Sequence, residues 1–140
     1  MVNPYKYKAR PTPVAGHHKI GLQQDTIVYD SQLEARLAVL LLKHNVPFTP
    51  HVKFICFDRR GKEFSYAVDF LLRRPRKLVG LSYAMDALET KGIITKHDIL
   101  RNEALNYCHG KRCYIVTRDL LELWEREGLD WRPEDFGGAL

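Results

Sequence analysis

Two hydrophobic periods alternate along the chain. Across residues 31–44, Leu33, Leu37, Leu40 and Leu41 recur every three or four positions, and Ala35, Ala38, Val39 and Leu42 widen the stripe. That spacing predicts an amphipathic helix buried along one side. Ser31-Gln32-Leu33-Glu34 has the form of a capping box at its start, and Asn45-Val46-Pro47 stops it. Residues 52–57 are a β-branched and aromatic run, residues 58–62 a turn, and residues 64–72 a second run, together an antiparallel hairpin. A third strand ends in Glu89-Thr90-Lys91 and begins anywhere between Leu78 and Met85. Gly92-Ile93-Ile94-Thr95-Lys96 reads as a loop, and residues 98–108 as a helix closed by His109-Gly110. Residues 112–117 read as a fourth strand and residues 119–127 as a last amphipathic helix, stopped by Gly128.

A helix between the third and fourth strands makes those two parallel, whereas the hairpin is antiparallel. The expected fold is α/β, with a mixed central sheet of four or more strands flanked by helices. No repeat or composition break divides the chain, so residues 1–140 read as one domain. Residues 1–26, punctuated by Pro4, Pro11, Pro13, Gly16 and Gly21, form an extended arm ahead of the short apolar lead-in Ile27-Val28-Tyr29. Residues 128–140 form an acidic tail that packs through Trp131 and Phe136 or dimerises.

Composition narrows the class. Hydrophobic residues at 45% and charged residues at 28% are ordinary for a globular domain. No apolar run approaches the ~18 residues that span a bilayer, and the first residues lack the apolar core of a signal peptide. Cys56, Cys108 and Cys113 are an odd number without a CxxC pair, which argues against a disulfide framework and for a reducing, cytoplasmic setting. Cys56 sits in an apolar run and reads as core. Cys108, His109 and Cys113 lack a fourth zinc ligand at a recognisable spacing. The net charge of +5 is uneven: residues 1–26 carry four basic and one acidic residue, residues 27–117 fifteen and nine, and residues 118–140 three and seven. A basic body with an acidic tail favours a polyanionic partner.

Four side chains carry the candidate chemistry. Glu89 and Lys91 stand two apart at a strand end, where alternation points both to one face. Asp69 interrupts the apolar segment Val68-Asp69-Phe70, a costly place for a carboxylate unless it is paired, bound to a cation or turned outward. Glu34 either closes the capping box or binds metal. Asp69 and Glu89 on neighbouring strands can share one or two divalent cations, with waters and phosphate oxygens completing a magnesium shell. Lys91 would orient the attacking water and offset charge in the transition state. Around this cleft, Arg73, Arg74, Arg76 and Lys77 form either a phosphate clamp or a solvated loop. Lys96 and Arg101 add positive charge nearby. In the arm, Lys6, Lys8 and Arg10 interleave with Tyr5 and Tyr7 in a pattern that suits phosphates and bases, or equally a solvated tail.

Glu34, then Val68-Asp69, then Glu89-Thr90-Lys91, in α-β-β-β-α-β order over residues 27–117, resembles the PD-(D/E)xK nuclease superfamily. Val68 stands where the motif's name has proline. Val28-Tyr29-Asp30-Ser31 with Glu34-Ala35-Arg36, and Lys91-Gly92 with Thr95-Lys96, are similar to small phage and prophage nucleases. The Glu-Thr-Lys-Gly segment also resembles phage Holliday-junction-resolving endonucleases and the endonuclease subunit of some transposition systems. The resemblance implies a restriction-endonuclease-like fold with an αβββαβ core plus a C-terminal helix. It implies DNA cleavage dependent on Mg²⁺ or Mn²⁺, with Glu34, Asp69, Glu89 and Lys91 catalytic. Asp69, Glu89, Glu34 and the Thr90 carbonyl would be the metal ligands, and a homodimer would cut both strands. The alternative is a non-catalytic DNA-binding or assembly subunit on the same fold. An RNA-processing nuclease ranks below both, since nothing resembles an RNA-recognition motif.

Overall fold

The computed structural model describes residues 7–8, 28–29 and 31–130. In chain order these form β1 (Tyr7–Lys8), β2 (Val28–Tyr29), α1 (Gln32–Lys43), β3 (Phe48–Phe57), β4 (Glu63–Arg76), β5 (Met85–Thr90), α2 (Lys96–His109), β6 (Cys113–Val116) and α3 (Arg118–Glu127). Lys6, Arg10, Trp131, Phe136 and most of the arm and tail lie outside the described residues, and of Lys8 only the backbone is described. Within the arm, Tyr7–Lys8 pairs antiparallel with Val28–Tyr29.

The strand order is β3-β4-β5-β6, antiparallel across the first two junctions and parallel across the last, where α2 makes the crossover. The fold is therefore α/β, a mixed four-stranded sheet flanked by helices. One face meets α1 and α3, burying Leu37, Leu41, Leu121 and Trp124 against Phe48, Phe70, Leu88 and Val116. The other meets α2, where Leu105 packs on Cys56, Tyr66, Val68 and Ala87. Cys56 is thus core, as its apolar run predicts. On α1 the stripe is narrower than the sequence suggests, since Val39 is exposed. Among the described residues no helix is long and apolar enough to cross a membrane.

Two strand boundaries depart from expectation, since β3 begins at Phe48 rather than Val52 and β4 runs past Leu72. β4 continues to Arg76, so the basic stretch expected as a connection is strand through Arg76. Tertiary pairing decides this against local composition. Arg73 N–H donates to the Pro47 carbonyl at 3.1 Å, and Arg76 lies across from Met85. Pro75, with no N–H to give, sits where the β4–β5 register shifts between Leu71 and Arg76. β5 begins at Met85, the late end of the expected range, because Leu81 N–H bonds back to the Leu78 carbonyl in a turn that holds Gly80 at φ +84.

A third irregularity builds the site. Side chains alternate faces along a strand, so positions two apart should share one. Yet Val68 packs under α2 and Phe70 under α1, and on β3 Phe48 packs under α1 while Val52 and Phe54 pack under α2. Both strands change phase in the same place, between the pairs Pro50↔Phe70 and Val52↔Val68. The residues at that step are His51, held at φ +56, and Asp69. Next to it the β4–β5 ladder stops at Phe70↔Leu88, leaving Glu89 and Thr90 paired only with β6.

Candidate metal centre

Glu34 lies in the first turn of α1. Ser31 caps the helix by accepting the Glu34 N–H at 3.1 Å. The Glu34 carboxylate points inward, only 3% exposed, and meets His51 Nε2 at 2.5 Å. The alternatives left by the sequence separate here: Ser31 does the capping and the Glu34 side chain serves the interior. Asp69 is half-buried, and its Oδ2 accepts both the Thr90 N–H at 2.8 Å and the Thr90 hydroxyl at 3.2 Å. One ligand atom each from Glu34, His51 and Asp69 lies within 4.8 Å of the others.

Burial pushes the Asp69 carboxyl up to about 7, and the neighbouring charge of Glu34 adds to the rise against the two hydrogen bonds from Thr90. Two carboxylates so close repel, and a dication between them would remove that repulsion. The donor set of two carboxylates and an imidazole therefore fits a divalent metal.

Glu89 and Lys91 stand beside this group rather than in it. Glu89 is 4% exposed, and Tyr66 Oη contacts its Oε2 at 2.8 Å and Asn102 Oδ1 at 2.7 Å. Asn102 is oriented by its own donation to the Cys113 carbonyl at 3.0 Å. A hydroxyl carries one proton, so Tyr66 can donate to only one of these two oxygens. Burial pushes the Glu89 carboxyl upward, against the Tyr66 hydrogen bond and the charges of Lys91 and Arg101. Lys91 Nζ lies 3.6 Å from Asp98 Oδ1. Thr90, between the two clusters, ties them together through its bonds to Asp69.

Asp98 is the counter-ion of the second cluster. It completes a capping box at the start of α2, taking the Thr95 N–H at 2.8 Å and the Thr95 hydroxyl at 2.9 Å, and it pairs with Arg101 at 2.9 Å. The hydrogen bonds from Thr95 hold its pKa well below the usual carboxylate range, helped by Arg101 and Lys91 and opposed by burial. Asp98→Ala is expected to cost about 1–3 kcal/mol at pH 7. A depressed pKa contributes stability above the ordinary value of 3.8 that is lost as pH falls below it, so the deficit should shrink between pH 7 and pH 3 in urea unfolding curves.

Of the expected DNA contacts, Arg73, Arg74, Lys77 and Lys96 are exposed. Arg76 is paired with Asp130 at 2.7 Å, and Arg101 is committed to Asp98 and to the Tyr66 ring, 4.9 Å from its centroid. Arg73, Arg74 and Arg76 line a surface groove of about 420 Å³ with Val46 and Pro47. Among the described residues Cys108, His109 and Cys113 form no ligand group. His109 Nε2 contacts the Ile55 carbonyl at 2.7 Å, and Cys113 adjoins Tyr66.

His51 is the site residue that sequence reasoning missed. Its one local signal is Pro50 immediately before it, which marks an edge strand or a bulge, and β3 is the edge of the sheet.

No family model, curated protein or solved structure matches the chain. The α/β class follows from the topology above, and any narrower reading rests on the residues themselves.

Proposed function

We propose that the chain is a metal-dependent DNA endonuclease on a restriction-endonuclease-like fold, hydrolysing phosphodiester bonds in branched or otherwise structured duplexes. The observation that carries this reading is the meeting of Glu34, His51 and Asp69 where β4 and β5 part. Glu34, His51 and Asp69 would hold a divalent ion, which when bound lowers the pKa of its water and polarises a phosphate oxygen. Lys91, half-exposed next in the chain to Thr90 and 3.6 Å from Asp98, would supply a positive charge to offset that of the pentacovalent phosphate. Thr90 fixes the orientation of Asp69 through two hydrogen bonds. Arg73 and Arg74, exposed on the extension of the same strand, would grip the backbone of the duplex.

The experiment is incubation of the full chain with supercoiled and four-way-junction DNA in Mg²⁺ or Mn²⁺. Cleavage is expected, abolished by EDTA and reduced about a hundredfold or more in Lys91→Ala, whose circular dichroism should match wild type. DNA binding without cleavage that Lys91→Ala removes would instead favour a non-catalytic DNA-binding or assembly subunit. Double-strand cutting would call for a homodimer, read by the molar mass of the DNA complex in light scattering.

A further inference from the structure

We propose that this centre is built for a first-row transition-metal dication rather than for Mg²⁺, with the His51 imidazole as a direct ligand. The inference rests on the reading that Glu34, His51 and Asp69 hold a metal, and goes beyond it in naming the class of ion and the residue that selects it.

Three observations converge. The first is the donor set. Mg²⁺ takes oxygen ligands, gives up its waters reluctantly and is served by one or two carboxylates, whereas imidazole suits first-row transition dications such as Fe²⁺, Ni²⁺ and Zn²⁺, with Mn²⁺ the weakest binder of that series. Here a ring nitrogen stands with two carboxylate oxygens, all within 4.8 Å. A magnesium site would have been complete with Glu34 and Asp69 alone.

The second is the backbone. His51 is held at φ +56, in the left-handed region that side chains other than glycine, asparagine and aspartate seldom occupy, although histidine is among those that tolerate it. It does so inside a ten-residue strand, at the step where β3 and β4 both change phase. Strain of this kind persists where the surroundings fix a side chain in place, and it clusters at functional sites. What the distorted step achieves is to set the imidazole against Glu34, from α1, and Asp69, from β4.

The third is the position of Glu89. The acid that would have joined Asp69 in an all-oxygen site lies outside the ligand group, its Oε2 engaged by the Tyr66 hydroxyl at 2.8 Å. The third place beside Glu34 and Asp69 belongs to nitrogen.

The competing account is a structural Glu34–His51 pair that never meets metal, and the test separates the two. The full chain, freed of metal with EDTA and dialysed, is titrated with Mn²⁺ alone and with Mg²⁺ as competitor, following the electron paramagnetic resonance signal of free Mn²⁺. Mn²⁺ is expected to bind about tenfold or more tighter than Mg²⁺. His51→Gln should weaken Mn²⁺ by a similar factor and leave Mg²⁺ unchanged. Electron spin-echo modulation from a bound ¹⁴N should appear on Mn²⁺ in wild type and vanish in the variant. If His51→Gln unfolds, His51→Gly relieves the left-handed backbone while removing the ring, and the same losses are expected of it. Equal affinities for the two ions, or Mn²⁺ bound without ¹⁴N modulation, would overturn the assignment. Cleavage assays on the same samples keep the two readings apart. His51-dependent Mn²⁺ binding without DNA cleavage would sink the nuclease and leave the site. Cleavage in Mg²⁺ with no nitrogen on the metal would sink the site and leave the nuclease.

Discussion

Replacing Asp69 by Asn is expected to abolish DNA cleavage and, at the same time, to make the metal-free protein more stable at pH 8. The two effects have one origin. Asn keeps a carbonyl oxygen that can accept the Thr90 N–H and hydroxyl, both of which Asp69 takes on Oδ2. The other oxygen becomes an amide that donates toward Glu34 instead of repelling it. What disappears is a partly buried charge, and with it the proposed metal ligand. In the folded chain the Asp69 carboxyl is pushed up to about 7 from an ordinary 3.8, first by burial and then by Glu34. Between those two pH values the folded state keeps a proton that the unfolded state has released, so stability falls as pH rises. From pH 5 to pH 8 the metal-free wild type should lose about 3 kcal/mol through this group, and the Asn variant almost none of it. Urea unfolding at the two pH values in EDTA reads the difference. Mn²⁺ at pH 8 should restore the wild type and leave the variant where it was. Cleavage should fall about a thousandfold. A variant that cuts like wild type, or unfolds with the same pH slope, would show that Asp69 is neither ligand nor strained charge.

That combination, an acid costly to the fold and necessary to the site, is also why Asp69 was legible in the sequence. A carboxylate between Val68 and Phe70 contradicts the pattern around it, and such contradictions tend to mark sites. The 3–4 spacing of leucines fixed α1, and the two apolar runs around 58–62 fixed the hairpin, because both are local patterns whose period survives any tertiary context. Glu89 and Lys91 two apart at a strand end were equally readable. What they face was not. Tyr66 is 23 residues before Glu89 and Asn102 lies on a helix after it, so that network depends on register between β4, β5 and α2. The extension of β4 through Arg73 and Arg74 was hidden for a similar reason: arginines and a proline read as a loop until the Pro47 carbonyl and Met85 supply partners. His51 was hardest to see. One histidine on an edge strand has no period, and its significance comes from a backbone angle and from residues 17 positions before and 18 positions after it. The linear sequence announces costs more readily than it announces meetings.

The largest loss of stability is expected not in the site but behind it, at Trp124. Its side chain is fully buried among Leu37, Leu41, Leu121 and Leu129, and its Nε1–H donates to the Val79 carbonyl at 2.8 Å. Trp124→Ala should cost about 3–5 kcal/mol, from lost transfer energy and the cavity left behind, with a further contribution from the orphaned carbonyl. Against a total of about 5–15 kcal/mol for a domain, that approaches unfolding. Trp124→Phe keeps most of the apolar contact and loses the hydrogen bond, so about 1–2 kcal/mol separates it from wild type. The effect should reach the metal centre, because α3 and α1 share this core and are tied at the surface by Arg36 and Glu125, at 2.5 Å, and α1 carries Glu34. Loosening that seat spreads the positions of the Glu34 carboxylate and should weaken Mn²⁺ binding in whatever fraction remains folded. Unfolding should be followed by circular dichroism, since the substitution removes a fluorescent reporter. A Trp124→Ala variant destabilised by less than about 1 kcal/mol would mean that α3 does not close this face of the sheet, and that the position of Glu34 is set by something other than the core beneath it.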